Sequence, residues 1–232
     1  MRVLTWNLFH GRAVPERRYS LTTEFVAALS GWEWDVALLQ EVPPWWPPLL
    51  ASACGADERH VLTSRNSLLT LRRALAERRP DIAKSSGGGA NAILVRPSAG
   101  QVTAHAQRRL RIRPERRRVH AVRLDLDKGP LWIANVHAQV RPHSLTRADL
   151  RGAGRAVQTW ARGEPHVLAG DLNVPDPEVA GFTDTGGHEV DRFLLGPGVA
   201  AAGRVEVLER PGGLSDHAPV AIDLRISRRN ES

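Results

Sequence analysis

Cysteine is nearly absent from this chain of 232 residues: Cys54 is the only one. An internal disulfide is therefore excluded, and a reducing compartment fits. No His or Asn motif flags Cys54 as a nucleophile, so a buried, inert thiol is expected. Lysine is almost as scarce, with Lys84 and Lys128 set against 30 arginines, and Tyr19 is the one tyrosine. No apolar run reaches roughly 18 residues, so no membrane span is expected. Polar residues Asn7, His10 and Arg12 interrupt the start of the chain, which does not read as a secretory signal. A cytoplasmic monomer is the expectation.

What is present is enough for a core. Hydrophobic residues make up 42% of the chain. That suits one large domain, placed at residues 1–226, with a polar tail at 227–232. The formal charge of +7 favours a polyanionic partner: nucleic acid, anionic lipid or a phosphorylated small molecule. An arginine-rich, lysine-poor skew is also what a GC-rich genome produces. One stretch concentrates the charge: Arg108, Arg109, Arg111, Arg113, Arg116, Arg117 and Arg118 fall within eleven residues. On a hairpin they form a positive ridge able to hold a phosphate backbone without reading sequence.

Short apolar runs each end in a polar residue. Residues 2–7 read as a strand ending in Asn7, and residues 35–41 as a strand ending in Glu41. Between them residues 20–31 have helical spacing, with Ser20 as the expected cap. Strand, helix, strand suggests a parallel pair with Asn7 and Glu41 at one edge, where α/β sheets keep their sites. Four prolines around Trp45 and Trp46 predict a stiff, irregular loop, either a lid or a stacking platform. A helix is expected over 67–79, then a glycine-rich turn at 85–90 that lacks the Lys-Ser/Thr of a P-loop. Further strands are expected at 91–96, through 101–136, and at 131–137 ending in His137. A helix at 144–162 follows, with Leu145, Ala148, Ala156, Val157 and Trp160 inward. Then come strands at 166–170, 189–195, 204–208 and 220–224.

The strand at 166–170 runs out into Gly170-Asp171-Leu172-Asn173. Side chains two apart on an extended chain share a side, so Asp171 and Asn173 can aim at one point. A carboxylate beside a carboxamide suits a metal-bound water attacking phosphorus or carbonyl carbon. Gly, Asp and Asn are also ordinary turn residues.

Taken together, Thr-Trp-Asn7, Gln40-Glu41, Asn91-Ala-Ile-Leu, Asn-Val-His137, Gly-Asp171-Leu-Asn173, Val-Asp191-Arg-Phe and Ser-Asp216-His217 resemble the endonuclease/exonuclease/phosphatase superfamily, in order and over nearly the whole chain. The resemblance implies a four-layer αββα sandwich, two mixed β-sheets face to face with helices outside. It also implies phosphoester hydrolysis dependent on Mg²⁺ or Mn²⁺. By that likeness Glu41 is the principal metal ligand, with Asn7 and Asp216 beside it. Asp171 orients or deprotonates the attacking water, Asn173 holds phosphate or nucleophile, and His217 stands at the scissile phosphate. Asp191 hydrogen-bonds that histidine. His137 resembles the second histidine of the deoxyribonuclease and phosphatase branches. The apurinic-endonuclease branch uses a mid-chain tyrosine, and Tyr19 lies near the start. His10, His143 and His188 take no role in this reading and default to surface or loop positions.

Physical chemistry points the same way. Phosphodiester hydrolysis asks a catalyst for on the order of 20 kcal/mol. One general acid or base supplies about 3–5 kcal/mol. The larger share must come from charge placed against the transition state. A hard divalent cation does this and prefers oxygen ligands such as Glu41, Asp171, Asp216, Asn7 and Asn173. An Asp191–His217 pair would favour the protonated imidazole. Three readings follow: a metal-dependent nuclease, a phosphatase or phosphodiesterase on a small molecule or lipid headgroup, and, ranked last, a non-catalytic binding module. Backbone binding weakens steeply with salt and separates the first two.

Overall fold

The structure, a computed structural model, describes residues 1–63 and 89–227. The helix expected over 67–79, most of the turn at 85–90 and the tail beyond Ser227 lie outside them.

Two sheets face each other. The first contains β1 (Arg2–Asn7), β2 (Val36–Val42), β3 (Asp57–Leu62), β4 (Ala90–Val95), β11 (Val199–Ala201), β12 (Glu206–Val207) and β13 (Val220–Ile226). Its order is β11-β13-β1-β2-β4-β3, with β12 also on β13. The second contains β5 (Gln101–Arg111), β6 (Arg117–Leu126), β7 (Gly129–His137), β8 (His166–Asp171), β9 (Thr183–His188) and β10 (Asp191–Leu195), in the order β5-β6-β7-β8-β10-β9. Both sheets are mixed: β1 and β2 run parallel, as do β7 and β8, and the other pairs are antiparallel. Among the described residues three α-helices cover the outer faces: α1 (Thr22–Gly31), α2 (Pro47–Cys54) and α3 (His143–Ala161).

Strand alternation builds the layers. Val36 and Leu38 face the second sheet, while Ala37 and Leu39 face α1 and α2. On β7, Leu131 and Ile133 face the first sheet, while Trp132 and Ala134 face the layer of α3. Three apolar clusters result, one at each interface of a four-layer αββα sandwich. Among the described residues no helix is long and apolar enough to cross a membrane.

Near one end the alternation turns polar. Gln40 Nε2 donates to Asn135 Oδ1 across the sheets (2.8 Å), and Asn135 Nδ2 donates to the carbonyls of Leu39 and Ala92 (both 2.9 Å). This buried amide pair clamps β2 and β4 to β7. At the same level the β2–β4 register shifts between Leu39 and Val42. Glu41 takes φ 48°, rare for a residue with a side chain. Beyond it Val42 joins the outer cluster, on the opposite face from Leu38. The β-bulge has flipped the parity of the strand.

Several expectations are corrected. The prolines do not exclude regular structure, because Pro47 and Pro48 occupy the first turn of α2, where a missing N–H costs nothing. Trp46 is core and only 5% exposed, not a platform. Ser20 does not cap α1: its hydroxyl meets Thr22 and the cap position falls to Leu21. Cys54 is only half-buried. The strand expected over 189–195 starts at Asp191, because Glu189, at φ 50°, turns the chain back from β9. That expected over 204–208 shrinks to Glu206–Val207. On α3 the buried positions are Thr146, Asp149, Leu150, Ala153, Gly154, Ala156, Val157 and Ala161, so Leu145, Ala148 and Trp160 sit at the flanks.

His120, on β6 and fully buried, is held neutral: burial first, then His105 and His60, lower its pKa well below the ordinary value. The unfolded chain takes up that proton below about pH 6.5 and the folded chain resists it. Stability carried by neutral His120 is present above that pH and lost as pH falls. Urea unfolding at pH 7.5 and 5.5 should therefore show a shallower loss in His120→Leu than in the wild type. Equal losses would show that His120 titrates normally.

Candidate active site

The site assembles where strands of both sheets end. Asn7 closes β1, Glu41 sits on the β2 bulge, His137 closes β7, Asp171 closes β8 and Asp191 opens β10. Asp216 and His217 come from the turn before β13. Gly170 lets β8 close on β7, since a Cβ there would collide with the carbonyl of Val136. That closure sets Asp171 level with His137 on one side and Asp191 on the other.

Asp171 lies at the centre and is 2% exposed. Asn7 Nδ2 donates to its Oδ2 across the sheets at 2.9 Å. His137 Nε2 stands 3.3 Å from the same oxygen, and His217 Nε2 3.9 Å from it. The Asn173 amide N–H donates to Oδ1 at 3.1 Å. Glu41 reaches the other side of the His137 ring, 3.9 Å from Nδ1, and also meets His10 Nε2 at 3.2 Å. The His217 ring is held by Asp191, Nδ1 to Oδ2 at 2.6 Å, and its Nε2 lies 3.9 Å from Asp216. Ser215 ties the turn of Asp216 and His217 to β1: its hydroxyl donates to the Asn7 carbonyl (2.6 Å) and accepts from His217 N–H (3.0 Å). Trp6 Nε1 donates to the His217 carbonyl at 3.0 Å.

Backbone strain concentrates here. Of seven non-glycine residues with positive φ among the described residues, five are Phe9, His10, Glu41, Asn173 and Ser215, all in this region. Such conformations persist where the surroundings over-determine them, and they cluster at working sites.

Electrostatics divides the two histidines. Burial, then Arg117, His217 and His10, push the His137 pKa well below normal, so that ring is neutral. Burial also opposes charge on His217, yet the hydrogen bond and charge of Asp191, with Asp171 and Asp216, push it up to about 9. Glu41 is pushed up to about 7, chiefly by burial and then by Asp171. Burial raises Asp171 too, against the pull of His217, the Asn7 amide and Arg117. Asp191 rises by burial, offset by its bond to His217. In that tight pair we assign the charged form to both partners, because a 2.6 Å contact with a cationic imidazole favours the carboxylate. Carboxylates pressed together inside a protein favour a cation. Glu41, Asp171, Asp216 and the side-chain oxygen of Asn7 are the hard donors that Mg²⁺ or Mn²⁺ prefers. Ligand atoms of Asp171, Asp191 and His217 also lie within 4.8 Å of one another. His217 Nδ1 is already bonded to Asp191, which makes that trio the poorer cage.

All eight predicted catalytic and metal-ligating residues meet at this end. Asn173 Nδ2 donates to the carbonyl of Ala138, the residue after His137 (3.0 Å). The arginine ridge does not act as one surface. Arg117 is buried and close enough to lower the pKa of both Glu41 and Asp171. Arg111 is drawn to Asp149 of α3 at 2.7 Å. Arg118 is half-buried against Gln107, and Arg108, Arg109, Arg113 and Arg116 are exposed. His10, expected at a surface or loop position without a role, instead meets Glu41. The signal was its place in the turn directly after Asn7.

A sequence model of the endonuclease/exonuclease/phosphatase family matches residues 4–217. The chain belongs to this family. Its superfamily consists of phosphoesterases, nucleases and phosphatases among them. No curated protein sequence matches it. Solved structures do. One is an endonuclease/exonuclease/phosphatase from Beutenbergia cavernae, at 19% identity and TM-score 0.72, covering 98% of this chain and 72% of that one. A second is the mannosyl-6-phosphatase of Bacteroides thetaiotaomicron, at 14% and 0.70, covering 97% and 100%. A third is D. rerio TDP2 complexed with single-strand DNA product, at 14% and 0.67, covering 97% and 98%. At these identities the likeness is one of fold.

If Asp191 holds the charge on His217, Asp191→Asn should lower the pKa of that ring by about one unit or more. NMR titration of the histidine side chains reads this directly. An unchanged His217 would place the cause elsewhere.

Proposed function

We propose that this protein is a divalent-metal-dependent phosphoesterase that hydrolyses a phosphodiester, acting on nucleic acid. The reading rests on one observation above all. Asp171 is buried between an amide donor, Asn7 at 2.9 Å, and the His217 imidazole, 3.9 Å away. A base for water and a cation for phosphate thus stand side by side.

Glu41, Asn7 and Asp216 would hold the ion. Bound there, it supplies positive charge to a phosphoryl oxygen. The chain's own groups do the rest. Asp171 orients the attacking water and takes its proton, its basicity raised by burial. Asn7 Nδ2 fixes the carboxylate through Oδ2, and the Asn173 N–H fixes it through Oδ1. His217, protonated at neutral pH, places its Nε2–H against a phosphate oxygen, while Asp191 holds the ring by Nδ1. Neutral His137, lodged between Glu41 and Asp171, keeps the two carboxylates apart. Histidines with pKa values driven in opposite directions mark separate roles. Buried Arg117 adds a fixed positive charge near Glu41 and Asp171. Exposed Arg108, Arg109, Arg113 and Arg116 on the β5–β6 hairpin suit a phosphate backbone leading away from the cleft. A single cysteine, with no disulfide to form within the chain, suits a reducing cytoplasm. The alternative is a small phosphoester or lipid headgroup, which would engage fewer of the exposed arginines than a phosphate backbone does.

Supercoiled plasmid, single-stranded DNA, RNA, a generic phosphodiester and phosphomonoesters should be tested with Mg²⁺ or Mn²⁺ and with chelator. We expect chelator-sensitive turnover of a nucleic acid that weakens steeply with salt. Asp171→Ala and His217→Ala should each lose roughly 10²–10⁴-fold while remaining folded. Salt-insensitive turnover of monoesters alone would favour the small-substrate reading. Turnover that survives chelation would end the metal-dependent one.

A further inference from the structure

The first sheet carries a row of polar side chains across its strands at the level of the site. Register sets Asn7 of β1 opposite Gln40 of β2. On the next strand Leu39 faces Ala92, and Val42 faces Ala90. Gln40 and Glu41 together therefore oppose the single residue Asn91, which closes the β2 bulge from β4. Asn91 lies on the same side of its strand as Ile93 and Val95, which point between the sheets, and opposite to Ala90, Ala92 and Leu94. It thus ends the row that contains Asn7 and Glu41.

The rest of the row has partners. Asn7 bonds Asp171 and the Phe9 N–H, Glu41 meets His10, and Gln40 Nε2 donates to Thr5, Leu38 and Asn135. Asn91 differs. It is 1% exposed, yet among the described residues neither its Oδ1 nor its Nδ2 has a hydrogen-bond partner. Gln40 Oε1, across the bulge, has none either. Burying a carboxamide unpaired is unfavourable, and a leucine of similar size would avoid the penalty. Among the described residues nothing satisfies this amide.

We propose that Asn91 is a positioning residue of the metal centre, its carboxamide bracing Glu41 across the bulge when the ion is bound. The proposal rests on the metal-dependent reading above. Nδ2 is a donor for the Glu41 carboxylate, and charge-assisted bonds of this kind are the strong ones. Oδ1, with Gln40 Oε1, offers acceptors to the waters that a hard cation retains. Partners behind a ligand fix its orientation, and losing one weakens metal binding by roughly 10–100-fold.

The test separates stability from affinity. Mn²⁺ binding is titrated by EPR, and the thermal midpoint of metal-free protein is measured, for the wild type, Asn91→Leu and Asn91→Ala. Val61→Ala is the control: Val61 is buried and pairs with Asn91 from β3, but offers no polar group. We expect both Asn91 variants to bind Mn²⁺ at least tenfold more weakly. Asn91→Leu should do so with an unchanged or higher midpoint, and Val61→Ala should keep wild-type affinity while losing stability. If Asn91→Leu misfolds, the smaller Asn91→Ala carries the affinity reading. Wild-type affinity in a folded Asn91 variant would overturn the assignment alone. No Mn²⁺ binding by the wild-type chain would overturn the metal-centre reading and this assignment with it.

Discussion

Carboxylates do not willingly leave water together. Glu41, Asp171 and Asp191 are held at one end of the sandwich, where burial raises the pKa of all three and Asp171 raises that of both others. Each buried charge costs several kcal/mol unless something positive answers it. Within the chain the answer comes from His217, charged and clasped by Asp191, and from buried Arg117. These do not suffice for Glu41, which still sits near 7. The unmet negative charge is what a divalent ion would satisfy, and the rest of the site is arranged around it.

The fold earns this placement through its polar end. Apolar alternation runs along β1, β2, β7 and β8 and then gives way to Asn7, Glu41, His137 and Asp171. Sheets that slid past one another would scatter these groups. The Gln40–Asn135 bond and the Asn7–Asp171 bond both cross the interface and pin the register there. Beneath them Phe193, Ile93 and Ile133 fill the space between the sheets and keep water out.

Much of this was legible in the sequence. β1, β2, β7 and β8 are each a short apolar run that gives way to a polar side chain near its end. The four-layer fold followed from the order of the motifs. Other features had no local signal. The bulge at Glu41 requires positive φ from a residue with no preference for it. Arg117 looks like its six neighbours in sequence, and only its position at the start of β6 brings it to the carboxylates. The stretch read as loop because four prolines fall within six residues, yet two of them open α2, where their missing N–H groups are not needed. Asn91 belongs to one of the resembling motifs, but its sequence context gave it no role; among the described residues its unpaired, buried carboxamide does.

The central claim is that a hard divalent ion completes the negative end of the sandwich. Anomalous diffraction from crystals soaked in Mn²⁺ tests it most directly. The account predicts a strong peak against the side-chain oxygens of Glu41 and Asn7, facing Asp171. A clear map with no manganese at Glu41, or with manganese only at a distant surface, would contradict it.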